Sequence, residues 1–284
     1  AMIVDVHTHF WDHTRDLLPE VQADLASAGG DPKLVEITAE SHAAGTAGAD
    51  VVIVFGLRAR NTGLVVSNDR IAQFVAADPK RRIGFTSGDP LFDADPLGEV
   101  RRCVEEFGMR GVKLAPTYQG VEPLHPKLVE IYAYAERQGL PVLFHQGTTF
   151  SRKAPLKHAL PVLLEDVAYR FPELRMIVAH LGHPWCGETV ALIRKQPHMY
   201  ADISALYYRP YQFYQALKLA DEYNTDRKIL FGTDYPFTTF QSTLKGLKEL
   251  EAFIERHHLP PLRPGLLDGI VQRNALKLLG IPQP

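Results

Sequence analysis

Eight apolar, strand-like runs, each followed by a helix-like stretch, predict an α/β protein built as a (β/α)8 barrel. Two further observations agree. The 284 residues suit a barrel of this kind, which forms one domain at roughly 250 residues. The first strand leads into His7-Thr8-His9, not into the glycine-rich phosphate loop that follows the first strand of the rival doubly wound sheet. A single domain over residues 2–284 is expected, with Ala1, ahead of Met2, taken as a residue added for expression.

The first strand is Met2-Ile3-Val4-Asp5-Val6-His7-Thr8-His9-Phe10. Successive side chains leave a strand on opposite faces, so His7 and His9 point one way and Thr8 the other. A polar segment, 11–31, reads as a surface loop, with a lid carrying Trp11 as the alternative. Pro32 opens a helix over 32–44, at a position where its missing N–H costs little. The β-branched run 50–56 reads as a strand buried on both faces. A loop containing Gly and Asn then leads to a helix over 69–77, with Ile71, Phe74 and Val75 on one side. Strand three is 82–86, and the helix over 96–107 gathers Val100, Cys103, Val104 and Phe107 on one face. Strand four, 111–115, stops at Pro116, and the next helix, 126–138, ends at Gly139 as helices commonly do. Strands five to eight are 141–145, 175–180, 198–204 and 228–234, separated by helices at 160–170, 187–194 and 211–223. Helices at 243–257 and 266–279 complete the series. Parallel neighbours need crossover connections, and eight strand–helix units close into a cylinder.

Composition removes several functions. A net charge of −2 without a long Lys/Arg run gives no electrostatic reason to expect nucleic acid. No apolar stretch approaches the roughly 20 residues that span a bilayer, and no signal segment precedes the first strand. Two cysteines, Cys103 and Cys186, are too few for a disulfide framework, so a reducing, cytoplasmic setting is expected.

Active sites of such barrels lie at the C-terminal ends of the strands. There the sequence places His7 and His9 (strand one), Lys113 (within four), His145 (five), His180 (six) and Asp234 (eight). Imidazoles with a carboxylate suit zinc, with Mn2+ or another divalent ion as alternatives. His7, His9, His145 and Asp234 are the expected ligands of one ion, which lowers the pKa of its bound water to about 7. Asp234 doubles as base, and His180 is the expected general acid or a neutral donor to a substrate oxygen. Asp202, ending strand seven, either orients an imidazole or is an ordinary loop aspartate. Arg58 and Arg60 after strand two, and Arg152, Lys153, Lys157 and His158 after strand five, suit a carboxylate-bearing substrate, with solvated loop charge as the default for each. Tyr207, in the run Leu206 to Tyr211, contributes to an aromatic wall or to helix packing. His183, His257 and His258 read as structural or solvent-facing, and Cys186 receives no role.

The motifs Asp5-Val6-His7-Thr8-His9, Gly111-Val112-Lys113-Leu114, Phe144-His145, Ala179-His180-Leu181-Gly182 and Gly232-Thr233-Asp234-Tyr235-Pro236-Phe237 resemble the amidohydrolase superfamily. The likeness is to the amidohydrolase-related branch that also contains aminocarboxymuconate-semialdehyde and resorcylate decarboxylases, and it runs to Arg273-Asn274-Ala275-Leu276. It implies a TIM-barrel enzyme with a divalent metal, usually zinc, at positions 7, 9, 145 and 234, and a catalytic His180. Lys-Leu-His-Pro is frequent in strand four of that branch. Lys113-Leu114-Ala115-Pro116 lacks its histidine, so that role does not carry over. Dinuclear members carboxylate the strand-four lysine and place the strand-six histidine on a second ion, which would engage Lys113 and His180. The resembling branch implies one metal, with Lys113 as a charged pocket residue or a rim salt bridge, and by analogy a homodimer.

The leading expectation is zinc-dependent hydrolysis of a small ester, lactone or amide. The alternative is decarboxylation of an aromatic or unsaturated acid at the same site. A non-catalytic metal- or ligand-binding barrel is the reading from a different class.

Overall fold

The computed structural model describes residues 2–284, leaving Ala1 outside the described residues. Eight strands succeed one another: β1 (Val4–His9), β2 (Val51–Phe55), β3 (Arg82–Phe85), β4 (Val112–Leu114), β5 (Val142–Phe144), β6 (Met176–Val178), β7 (Met199–Asp202) and β8 (Ile229–Leu230). They pair in parallel as the ladders β1-β2-β3 and β4-β5-β6-β7-β8. Two seams close the cylinder. Lys113 N donates to Thr86 O at 2.7 Å and joins β4 to β3, while Val6 N donates to Phe231 O at 3.0 Å and Asp234 N to His7 O at 2.8 Å, joining β1 to the end of β8. The chain forms the expected (β/α)8 barrel.

Alternation along the strands sorts the core into two layers. Val4, Val6, Ile53, Phe55, Ile83, Phe85, Leu143, Ile177 and Leu230 share one cluster inside, which Leu276, Leu279 and Ile281 join. Val52, Val54, Val112, Leu114, Val142, Phe144 and Val178 face outward against helix residues such as Val100, Leu128, Ile131, Val190 and Leu217. Lys113 lies between two outward residues, so the same alternation turns it inward.

Strict alternation would send His7 outward, because Val4 and Val6 already point in. A bulge resolves this. Val4 and Asp5 pair with Val51 and Val52, but Thr8 and His9 pair with Val54 and Phe55, so Val6 and His7 stand opposite Ile53 alone. The extra residue rotates the strand end. Thr8 then takes the outer face, where Oγ1 donates to Ile53 O at 2.7 Å, and both histidines face inward.

Four local differences from the sequence-based expectation stand out. Segment 11–31 forms a packed wall of the cavity: helix Pro19–Ser27 packs Val21 and Leu25 with Trp11 and Val35, and Trp11 Nε1 donates to Val35 O at 2.7 Å. The helix expected over 32–44 is a 3-10 turn, Pro32–Val35, and a separate helix, Ala39–Gly45. Thr38 and Ser41 start the latter with a reciprocal capping box. The loop after β2 holds a hairpin, Arg58–Ala59 against Leu64–Val65. The last expected helix splits into Leu266–Val271 and Ala275–Leu279, because Asn274 Oδ1 accepts from Lys277 N and caps a second start. Among the described residues no helix is long and apolar enough to cross a membrane.

Candidate metal centre

Three strand ends build the polar heart of the barrel. His7 Nδ1 lies 2.9 Å from Asp202 Oδ2. Asp202, wholly buried, also accepts from the backbone N–H groups of His180 and Ser204, at 3.0 Å each, and from the Ser204 hydroxyl. Burial opposes its charge, but His7, His180 and these donors hold its carboxyl well below the usual range. Asp202 therefore orients an imidazole and does not face the cavity. Asp5 does for the strands what Asp202 does for the ring: Oδ1 accepts from His7 N (3.1 Å) and Thr233 N (3.0 Å), and Oδ2 from Thr233 Oγ1 (2.7 Å). Burial still lifts the Asp5 carboxyl to about 6.

With Nδ1 committed, His7 turns Nε2 toward Asp234 Oδ1, 3.1 Å away, and His9 Nε2 lies 3.2 Å from the same oxygen. Asp234 reaches that point from a left-handed backbone (φ 68), as do His180 (φ 55) and Ala205 (φ 54) on neighbouring loops. Such conformations cost about 1–3 kcal/mol each and gather at functional sites.

The arrangement is short of positive charge. A proton on Nδ1 leaves the His7 Nε2 lone pair facing a carboxylate oxygen, which needs a proton or a cation between them. Burial and Lys113 oppose that proton, yet Asp202 and Asp234 outweigh them and raise the His7 pKa. Donor atoms of His7, His9 and Asp234 all lie within 4.8 Å of one another. Two imidazoles and a carboxylate suit zinc or manganese, so the residues fit a divalent cation. His9 Nδ1 is buried without a hydrogen-bond partner among the described residues, and burial lowers the His9 pKa to about 4 despite Asp234.

His145 lies apart from that point. Its Nε2 donates to Thr148 O at 3.0 Å, and its ring stands 5.1 Å from that of His180. Burial, His180 and Lys113 together hold it well below the usual histidine pKa. His180 places Nδ1 2.9 Å from Ser204 O and 2.8 Å from Ser204 Oγ, with its ring 4.9 Å from His7. Burial lowers its pKa more than Asp234 raises it. His7, His180 and Asp202 form a second group within 4.8 Å, sharing His7 with the first. Among the described residues Lys113 makes no ion pair, at a rim or elsewhere. Its Nζ is buried, has no hydrogen-bond partner among the described residues and lies 4.6 Å from the centroid of Phe55. Burial lowers its pKa to about 8, against the pull of Asp202 and Asp234.

A cavity of ≈ 510 Å³ opens over these groups. Trp11, Leu57, Tyr118, Phe150, Tyr208 and Phe237 wall it, and His9, Lys113, His145, His180, His183, Arg209 and Asp234 supply its polar groups. The loop residues expected to bind substrate, Lys153, Lys157 and His158 included, lie elsewhere. Arg58 Nε donates to Asp93 Oδ2 at 3.0 Å and Nη1 to Val66 O at 3.2 Å, so its fork is already occupied. Arg60 is exposed, and its backbone N–H donates to Asp89 Oδ2 at 2.9 Å. Arg152 is tied to Asp24 at 2.9 Å, and neither it nor Arg60 lines the cavity. Tyr207 packs its ring on Gly246, whose missing Cβ would stand 2.4 Å from it. Its neighbours Tyr208 and Arg209 line the cavity instead, and so does His183, which carries no sequence signal for that position. Among the described residues Arg209 has no carboxylate partner; its Nη1 donates to Ala205 O at 3.3 Å.

Comparison with known proteins adds a family and a set of relatives. The amidohydrolase family model matches residues 4–281. The chain is 26% identical over 243 residues to the 2-amino-3-carboxymuconate-6-semialdehyde decarboxylase of Dictyostelium discoideum, a match covering 75% of this chain and 65% of that protein's length. Among solved structures it resembles a probable 2-pyrone-4,6-dicarboxylic acid hydrolase of Acinetobacter baumannii, with citric acid bound (TM-score 0.69, 17% identity, 99% and 100% of the two chains). It also resembles a dihydroxybenzoic acid decarboxylase of Polaromonas sp. JS666, with bound manganese and the inhibitor 2-nitroresorcinol (TM-score 0.66, 17% identity, 98% and 97%).

Proposed function

Since the chain belongs to the amidohydrolase family, we propose that it is a metal-dependent decarboxylase of a small aromatic or unsaturated carboxylic acid. The observation that carries this is the buried, unpartnered Lys113 ammonium at the polar end of an otherwise largely apolar cavity. Decarboxylation moves the electron pair of a C–C bond into a conjugated system, and a fixed ammonium at its oxygen end stabilises that charge most in the transition state. The named decarboxylase relatives support the same reaction type, which puts this alternative ahead of the hydrolysis expected from the sequence.

His7, His9 and Asp234 would hold the ion, with His145 as fourth candidate; zinc and manganese both suit these donors. When bound, the ion supplies positive charge that anchors an anionic substrate and stabilises the charge growing on it. The rest falls to the chain itself. Asp202 holds the His7 ring in register. The aromatic walls exclude water from a carboxylate that becomes neutral CO2. His180 is the group placed to carry the proton that replaces the carboxylate on carbon. Arg209, unpaired by any acid, would orient a second acidic group of the substrate.

Hydrolysis of a lactone or ester is the second reading, favoured by the likeness to the pyrone-dicarboxylic acid hydrolase. Metal-loaded protein incubated with hydroxybenzoic, dienoic and pyrone acids in 18O-labelled water separates the two. CO2 release without label in the organic product is expected. Labelled product without CO2 overturns the decarboxylase reading, and no turnover of either class leaves a binding barrel.

A further inference from the structure

Ser204 touches both imidazole systems of the site. Its hydroxyl donates to Asp202 Oδ1 and lies 2.8 Å from His180 Nδ1 and 3.1 Å from His7 Nδ1. Its backbone carbonyl lies 2.9 Å from His180 Nδ1. A carbonyl oxygen only accepts, so that contact requires the proton to sit on Nδ1. The hydroxyl, its own proton committed to Asp202, is an acceptor there too. The backbone N–H groups of His180 and Ser204 complete the shell of Asp202 Oδ1, at 3.0 Å each, so no donor is left to reverse the polarity.

A neutral imidazole has one N–H. Kept on Nδ1, it leaves the His180 Nε2 a bare lone pair, on a side chain that lines the cavity. We propose that Ser204 is a positioning residue: it holds His180 as the Nδ1–H tautomer, so that His180 enters the reaction as a proton acceptor. This rests on the decarboxylase reading and deepens it, because the proton delivered to carbon must first come from the substrate. His180 Nε2 takes the proton of a substrate hydroxyl conjugated with the carboxyl-bearing carbon and returns it to that carbon. The C–CO2 bond then breaks, its electron pair passes back to the conjugated oxygen, CO2 leaves, and solvent protonates the product oxyanion. His180 reaches the Ser204 carbonyl from a left-handed backbone (φ 55).

The test uses the full chain labelled with 15N-histidine, metal-free and zinc-loaded, with His180 signals identified by their loss in His180→Asn. The expected spectrum shows a pyrrole-type Nδ1 and a pyridine-type Nε2 for His180. An Nε2–H tautomer overturns the proposal. In parallel, Ser204→Ala, which keeps the backbone carbonyl and loses only the hydroxyl, should keep the Nδ1–H signal of His180, because the carbonyl alone requires it. An Nε2–H signal in Ser204→Ala overturns the carbonyl as the group that fixes the proton. The spectrum is read without substrate, so failure of this inference is distinct from an absence of CO2 release, which would remove the decarboxylase reading.

Discussion

Asp202→Asn is the most informative single change, because it alters one charge without altering shape. The carboxylate accepts from His7 Nδ1 at 2.9 Å, two backbone N–H groups and the Ser204 hydroxyl. Asparagine keeps one accepting oxygen. If that oxygen stays with the two N–H groups and the hydroxyl, the amide NH2 faces His7 Nδ1, donor against donor. The imidazole escapes by moving its proton to Nε2, where Asp234 Oδ1 accepts it at 3.1 Å. His7 Nε2 is then no longer available as a ligand. A charge-assisted bond contributes about 1.5–3 kcal/mol and a neutral one about 0.5–1.5 kcal/mol, so losing the charge alone costs on the order of 1 kcal/mol. Losing the ligand tautomer adds to it, which places the expected loss of metal affinity at about 10–100-fold, as for other partners of ligating histidines. Competition against a chromophoric chelator measures it on metal-free protein. An affinity within twofold of wild type would refute the assignment of His7 as a ligand oriented by Asp202.

Other perturbations follow from the same geometry. Lys113→Met should cut kcat about 10²-fold or more as a charge-stabilising donor is lost, yet make the metal-free protein more stable to urea at pH 7, because a buried unpaired ammonium disappears. The folded pKa of Lys113 is lowered to about 8 from 10.5. Its penalty is therefore complete below pH 8, and stability rises with pH between those values, where only the unfolded chain keeps the proton; Lys113→Met should abolish that rise. Arg209→Ala should raise KM for substrates with a second acidic group and leave kcat largely intact. Arg58→Ala should leave both constants alone and lower stability by about 1–3 kcal/mol, since Asp93 loses its partner in a half-buried site. Gly246→Ala should destabilise by about 1–3 kcal/mol despite the better helix propensity, because the new Cβ would meet the Tyr207 ring; a higher melting temperature would contradict that packing.

What the sequence showed was whatever period and strand end could carry. The continuous runs at β2, β5 and β6 and the helices Pro96–Phe107 and Pro126–Gln138 were readable because local pattern and tertiary role coincide. The gathering of His7, His9 and Asp234 followed from barrel closure and needed no side-chain detail. Its true cause, the bulge that turns the end of β1 inward, leaves no mark in Val6-His7-Thr8. The arginines were misplaced for a related reason: nothing near Arg58 announces that Asp93 will occupy it, or near Arg152 that Asp24 will. Arg209 remains free only because no acid packs beside it. Helix Pro19–Ser27 was missed because its apolar signal is Val21 and Leu25 alone, and its buried Asp24 reads as polar until the distant arginine is known.

The lacing of β1 to the end of β8 through Asp5 and Thr233 has a consequence for biosynthesis. Two proposed ligands, His7 and His9, are translated well before the third, which lies 225 positions beyond His9. Until Asp234 is in place, His7 and His9 stand on a strand that lacks one of its two neighbours. A site shared by His7, His9 and Asp234 therefore forms only when that seam closes, whatever the order of synthesis.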